Sequence, residues 1–192
     1  MDYFRANLEN RDYRGRNFDG VDFRQANLRM AILEDVSCEP RSVKKIGWGW
    51  LEIIIDVLFD GNGHYSALPL LSKEMRSTNF SEADLTGANL KHAKLCEANF
   101  HRAILKNANF SGAILLNANL CEANLSNANL SFTDLSGALF YRTNLENAIL
   151  TGAKIEATDF EEANLRNVVL GGVDLSRAKN LENTNLSGLM TY

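Results

Sequence analysis

From Phe80 to Leu175 every fifth residue is Leu, Phe or Ile, for twenty consecutive positions without a slip. Two residues before each of these centres stands a small residue: Ala, Thr or Val. An amphipathic helix needs apolar residues at a spacing near 3.6, and a half-buried strand needs 2. A strict five satisfies neither. It marks a repeat architecture, in which one short unit gains its core only by stacking on copies of itself.

The unit reads Ala, Asn or Asp, Leu, then two variable residues, as in Ala83-Asp84-Leu85, Ala88-Asn89-Leu90, Ala118-Asn119-Leu120, Ala123-Asn124-Leu125 and Ala163-Asn164-Leu165. This resembles the pentapeptide-repeat family, and the resemblance covers residues 1–40 and 78–192. It implies an all-β solenoid, a right-handed quadrilateral β-helix with one pentapeptide per side and four per coil. In that fold the centre and the small residue two before it point inward, and the others face solvent or make the turn.

The sequence tests four sides per coil on its own. Residues twenty apart would then stack at about 4.8 Å, the spacing of neighbouring strands. Phe occupies the centre at 80, 100, 140 and 160, with Leu120 between, and Phe110 is the one other Phe centre in this run. Two positions after those centres come Glu82, Arg102, Glu122, Arg142 and Glu162, a column of alternating charge that attracts across adjacent strands. Asn107, Asn127, Asn147 and Asn167 form a third column whose amides can bond up the stack. All three columns agree on twenty.

The repeat already runs from residue 1, with centres at Tyr3, Leu8, Tyr13, Phe18, Phe23, Leu28, Leu33 and Cys38. Arg11 and Arg16 take inward positions where Ala is usual. A buried guanidinium is costly unless paired, so the first coil is expected to be open, with these side chains reaching the end of the stack. Pro40 stops the pattern, and the centre expected at residue 43 is found at Phe80. The 37 residues between keep the sides in register, so the aromatic column is predicted to run Tyr3, Phe23, Phe80, Phe100, Leu120, Phe140, Phe160. The expectation is a single β-helix domain, 1–192, with coils from 1–40 and 78–192 and a small helical insertion at 41–77.

The insertion differs in composition. It holds both Trp residues, Trp48 and Trp50, and the second proline, Pro69. Leu51, Ile54, Ile55 and Leu58 follow the i, i+3, i+4, i+7 spacing of a helix face, with Glu52 and Asp56 on the opposite one. Asp60-Gly61-Asn62-Gly63 ends this segment with turn residues, and 67–75 is predicted as a second short helix with Pro69 in its first turn. Trp48, Trp50, Leu51, Ile54, Ile55 and Leu58 are the candidate partner-contact residues, either packed as a lid on the rod or offered to a partner or a membrane surface. Near the other end, Ala178-Lys179-Asn180-Leu181 is one residue longer than the repeat, which predicts a bulge in the last coil. Leu189, Met190 and Tyr192 would cover that end or give a weak homodimer there.

Other functions are weighed from the same residues. The formal net charge is −4, whereas a nucleic-acid binder is usually basic, so direct nucleic-acid binding is not expected. The absence of a basic leader or an eighteen-residue apolar run, with only three cysteines, points to a cytoplasmic protein without a membrane span. His101 and Cys121 share an outward column with Ser81, Tyr141 and Glu161. A nucleophile and base there would lack an orienting third group and oxyanion donors, so no enzyme is expected. There is no Cys/His cluster at ligand spacing and no Gly-rich phosphate loop, so neither metal nor cofactor is expected. Some members of the family resemble a DNA rod and bind DNA gyrase or a related topoisomerase. Residues 78–192 carry twelve acidic and nine basic side chains, interspersed rather than striped, so mimicry of this kind is the alternative. The leading expectation is a non-enzymatic interaction or scaffold protein that presents flat walls and the insertion to a protein partner.

Overall fold

The computed structural model describes residues 2–18, 20–37 and 78–191. The chain forms two compact units, Met1–Glu39 with Ser77–Tyr192, and Pro40–Arg76; the description that follows is of the first. Cys38, Pro40 and all of the insertion 41–77 lie outside the described residues, and so do the helices and candidate contact residues expected there.

Each pentapeptide makes one side of a square coil. Only its middle outward residue forms a parallel bridge, and the partner is twenty residues on: Asn79 with Asn99, Asp84 with Ile104, Asn89 with Asn109, Lys94 with Ile114. We name the walls by these residues, first to fourth. The register passes across residues 38–77 without a slip, because Asp22 pairs with Asn79, Asn27 with Asp84, Ile32 with Asn89 and Ser37 with Lys94.

The unit's sequence is explained by where its five N–H groups go. In 79–83, Asn79 N–H donates to Val21 O of the coil before at 3.0 Å, and Phe80 N–H to Asn99 O of the coil after at 2.7 Å. Ser81 N–H donates to the Asn79 side chain, Oδ1, at 3.0 Å. Glu82 N–H goes to His101 O at 2.9 Å, and Ala83 N–H closes the corner on Phe80 O at 3.0 Å. No backbone donor of the unit is left over, which is the condition for a buried or edge-free backbone. Asn or Asp before the centre is therefore part of the fold, since its side chain makes an Asx-turn that replaces a missing ladder bond.

The corner needs one residue of positive φ, as in a type II turn. Glu82, Arg102, Glu122, Arg142 and Glu162 all take it, with φ of 53–59°. So do Asn107, Asn127, Asn147 and Asn167. Asn accepts this region readily, whereas charged side chains take it only under the pull of the closed coil.

Inside, the inward assignment holds. Ala83, Leu85, Ala88, Leu90 and their equivalents up to Leu170 are buried. Phe rings stack up the first wall: Tyr3 on Phe23 at 5.1 Å, Phe23 on Phe80 at 5.0 Å, Phe80 on Phe100 at 4.9 Å, and Phe140 with Phe160 at 5.1 Å beyond Leu120. Thr at the inward small position keeps its hydroxyl satisfied: Thr143 Oγ1 donates to Leu120 O at 2.7 Å and Thr158 Oγ1 to Leu135 O at 2.8 Å. Thus Thr can replace Ala in a dry column.

Two departures occur at the ends. Leu175 was expected as a buried centre, but Leu175–Arg177 forms a 3-10 turn capped by Asp174, whose side chain accepts from Ser176 N–H, and Leu175 is only partly buried. The one-residue slip lies beyond it, because Asp159 pairs with Lys179 but Asn164 pairs with Asn185. Leu186 is 37% exposed, so the last coil leaves apolar surface open. At the other end Arg11 and Arg16 are exposed, as the cost of burying them requires.

Candidate interaction surface

The walls are flat because the bridge residues and their neighbours stand outward at a fixed spacing. Their chemistry differs from wall to wall. The corner after the first wall carries the charge column. Arg102 Nε meets Glu122 Oε2 at 2.8 Å, and Arg142 Nε meets Glu162 Oε2 at 2.6 Å. The hydrogen bond from Arg102 holds the Glu122 carboxyl below its ordinary range. The column extends further down than the sequence suggested: Gln25 donates to Glu82 at 2.7 Å, and Arg5 Nε donates to Gln25 Oε1 at 2.8 Å. Of the expected asparagine column, Asn167 donates to Asn147 at 3.2 Å. A second amide run on the second wall joins Asn144, Asn164 and Asn185 at 3.1 and 3.0 Å.

His101 and Cys121 are neighbours in their column, but not as a base and a nucleophile. The His101 ring Nδ1 lies 3.1 Å from the backbone carbonyl of Cys121, not from its thiol. Burial pushes the Cys121 thiol up, opposite to the activation a nucleophile needs. Cys96 and Cys121 are both free cysteines. Among the described residues no group of His, Cys, Asp or Glu is arranged to hold a metal ion, and no helix is long and apolar enough to cross a membrane.

Four outward positions break the repeat's own rules. Ile104, Leu139 and Ile149 occupy the bridge site where Asn or Asp makes the Asx-turn. Each forfeits that bond and leaves an aliphatic side chain 41%, 43% and 38% exposed respectively. Phe132 is more extreme. It takes the positive-φ corner with φ 57° and is 71% exposed. A bulky residue there costs conformational energy, and its ring gains little burial in return. Phe132 sits at the end of the third wall, where Ile149 pairs with Val169 and Val169 with Met190. On the first wall, Leu139 precedes Tyr141, and the Arg142 guanidinium lies 4.8 Å from the centre of the Tyr141 ring.

The family model for pentapeptide repeats matches eight copies of the unit, over residues 4–37, 74–102, 103–140, 134–167 and 156–188. The chain belongs to the pentapeptide-repeat family. Its coils are those of the family's right-handed quadrilateral β-helix. No curated protein matches the chain. Among solved structures it is similar to a pentapeptide-repeat protein of the Arabidopsis thaliana thylakoid lumen, at 33% identity over 46% of this chain and 65% of that one, with a TM-score of 0.38. The chain thus spans just under two thirds of that relative's length. It is also similar to HetL, a pentapeptide-repeat protein involved in heterocyst differentiation regulation from Nostoc sp. strain PCC 7120. Identity there is 22% over 99% of this chain and 86% of HetL, with a TM-score of 0.39. A trypsin-treated form of QnrB1, a plasmid-mediated fluoroquinolone resistance protein, is 15% identical over 100% of this chain and 88% of that one, with a TM-score of 0.49. In this pentapeptide-repeat chain, the rule-breaking outward residues are the ones that stacking itself does not explain.

Proposed function

We propose that this pentapeptide-repeat chain is a non-catalytic interaction or scaffold module, and that its partner is a protein. The observation that carries the reading is Phe132: an aromatic ring held outward, 71% exposed, in a backbone conformation that Asn or Gly would occupy at less cost. Nothing in coil stacking asks for it, whereas aromatic anchors are common at the centre of protein interfaces. The free thiols of Cys96 and Cys121 suit a reducing compartment such as the cytoplasm.

The test is Phe132→Asn. The variant should fold with unchanged or raised melting temperature, because Asn is at ease at positive φ, and it should lose capture of the native partner. Capture at parental strength by a folded Phe132→Asn protein would sink the reading. The insertion 41–77, proposed as an excursion from a single β-helix domain, would add Trp48, Trp50, Leu51, Ile54, Ile55 and Leu58 to the contact. A blue shift of tryptophan emission on partner binding is the matching signature. The last coil, with Leu186 exposed, is the proposed site of weak self-association.

The topoisomerase-directed alternative needs a continuous negative stripe along the rod. Along the charge column, Glu122 and Glu162 are each paired to an Arg. Glu146 and Glu156 likewise face Arg166 at 3.7 Å and Arg177 at 2.7 Å. This pairing favours the interaction-module reading, under which the purified chain leaves DNA supercoiling by a gyrase unchanged.

A further inference from the structure

The two ends of the stack are chemically unlike at one kind of position. In the first described coil the inward small site holds Ala6, Arg11 and Arg16; in the last it holds Ala178, Thr184 and Leu189. Arg11 and Arg16 are in the ladder by their backbones, since Ile32 N–H donates to Arg11 O at 2.9 Å and Ser37 N–H to Arg16 O at 3.0 Å. Their side chains therefore belong at the column, beside the half-buried Tyr3, Leu8 and Tyr13, rather than on a wall. Both residues are exposed. Neither guanidinium makes a hydrogen bond or ion pair to a described residue. The nearby carboxylates are taken by other arginines: Asp12 by Arg14 at 2.6 Å and Asp22 by Arg24 at 2.7 Å.

This end also has unspent backbone donors. In the next coil Asn27 N–H donates to Ala6 O and Ile32 N–H to Arg11 O; for Asn7 and Asp12 no described residue provides the same acceptor. An unpaired strand edge templates further pairing. Here the edge is bent through a square, so the occupant that fits it is another square coil, and the nearest source of one is a second copy of this chain. Head-to-head stacking would bring Arg11 and Arg16 against the same residues of the partner copy. Head-to-tail stacking would lay them on Ala178, Thr184 and Leu189, which offer no carboxylate. Either arrangement buries unpaired positive charge, which is strongly unfavourable. The same holds for any further coil with Ala at these sites, whatever chain precedes Met1.

We propose that Arg11 and Arg16 act as charged stoppers that keep this end of the column from stacking on a second copy. The Ala otherwise usual at this site would pack as well and would leave the edge open to association; head-to-tail growth of that kind does not close and makes filaments.

The test uses the full chain with Arg11→Ala and Arg16→Ala together, beside a double Lys variant that keeps the charge. Mass is read by sedimentation and light scattering across a concentration series. The wild-type and Lys proteins should share one curve. The Ala protein should climb above it, reaching at least twice the wild-type mass at the highest concentration. A folded Ala variant that follows the wild-type curve overturns the proposal, and so does a Lys variant that associates as the Ala variant does. Should the Ala protein fail to fold, Arg11→Gln with Arg16→Gln removes charge at similar length, and the same two curves decide.

Discussion

Phe132 closes over Gly152 of the next coil: a Cβ built on Gly152 would lie 2.7 Å from both Cδ1 and Cε1 of the ring. Gly152 also has φ +66°. The exposed aromatic and the glycine are thus one feature, and the second makes room for the first. Gly152→Ala should cost about 1–3 kcal/mol, from positive φ and from displacing the ring. Thermal melts check it. In a Phe132→Asn background the ring's share should vanish and only the backbone share remain, so an unchanged cost there would mean the ring is not held where it is seen.

Leu125 is fully buried between Leu105 and Leu145, with all three at 0% exposure. The column is one residue wide on each wall, so neighbours have little freedom to collapse into a gap. Leu125→Ala should therefore lose about 2–5 kcal/mol in urea unfolding. A melt matching the parent would contradict the inward assignment of the centres.

The centres and inward alanines were legible in the sequence because burial repeats with the chain's own period, and a period survives any local substitution. The role of Asn and Asp before each centre was less so: their frequency was plain, but the bond from Asn79 Oδ1 to Ser81 N–H is a backbone event with no pattern of its own. Phe132 escaped notice for a related reason. Positive φ at the corner is shared by Glu82, Asn107 and Gly152 alike, so the position looked like a free surface site until its backbone was seen. At Leu175 the period pointed to a buried centre, but Asp174 bonding to Ser176 N–H starts a 3-10 turn instead. Local capping overrode the repeat where no complete coil lies beyond to enforce it. The insertion's Trp and aliphatic face stand outside the described residues.

The Arg102–Glu122 pair gives a pH signature. The folded protein holds the Glu122 carboxyl below its unfolded value, chiefly through the hydrogen bond from Arg102. A carboxylate lowered on folding contributes stability that is complete above the unfolded pKa, about 4.3 for Glu. That stability is lost as pH falls through the lower folded value. Arg102→Gln should therefore melt below the parent at neutral pH, and the gap should close on acidification past the carboxylate range. The pair is exposed, so added salt should narrow the gap at neutral pH too. A gap independent of both pH and salt would show that Arg102 acts through packing instead.

Removing 41–77 tests whether the coils need the segment between them. The period places Cys38 and Phe80 as consecutive centres once these residues are gone, so Pro40 would join Thr78. The flanking coils already pair directly, through Asp22 with Asn79 and Ser37 with Lys94, and Phe23 stacks on Phe80 at 5.0 Å. One local obstacle stands in the way. Pro40 would fall at the corner where Gly20, Glu97, Asn117, Gly137 and Ala157 have positive φ, and the proline ring fixes φ near −65°. The excision variant should therefore fold poorly with Pro40 retained and fold well with Pro40→Asn, since Asn tolerates the left-handed region. The readouts are circular dichroism and a cooperative urea transition. Folding of the Asn form and not of the Pro form would establish both the register and the corner. If neither form folds, residues 41–77 are part of what holds the rod together, and the reading of the segment as an excursion from a self-supporting stack fails.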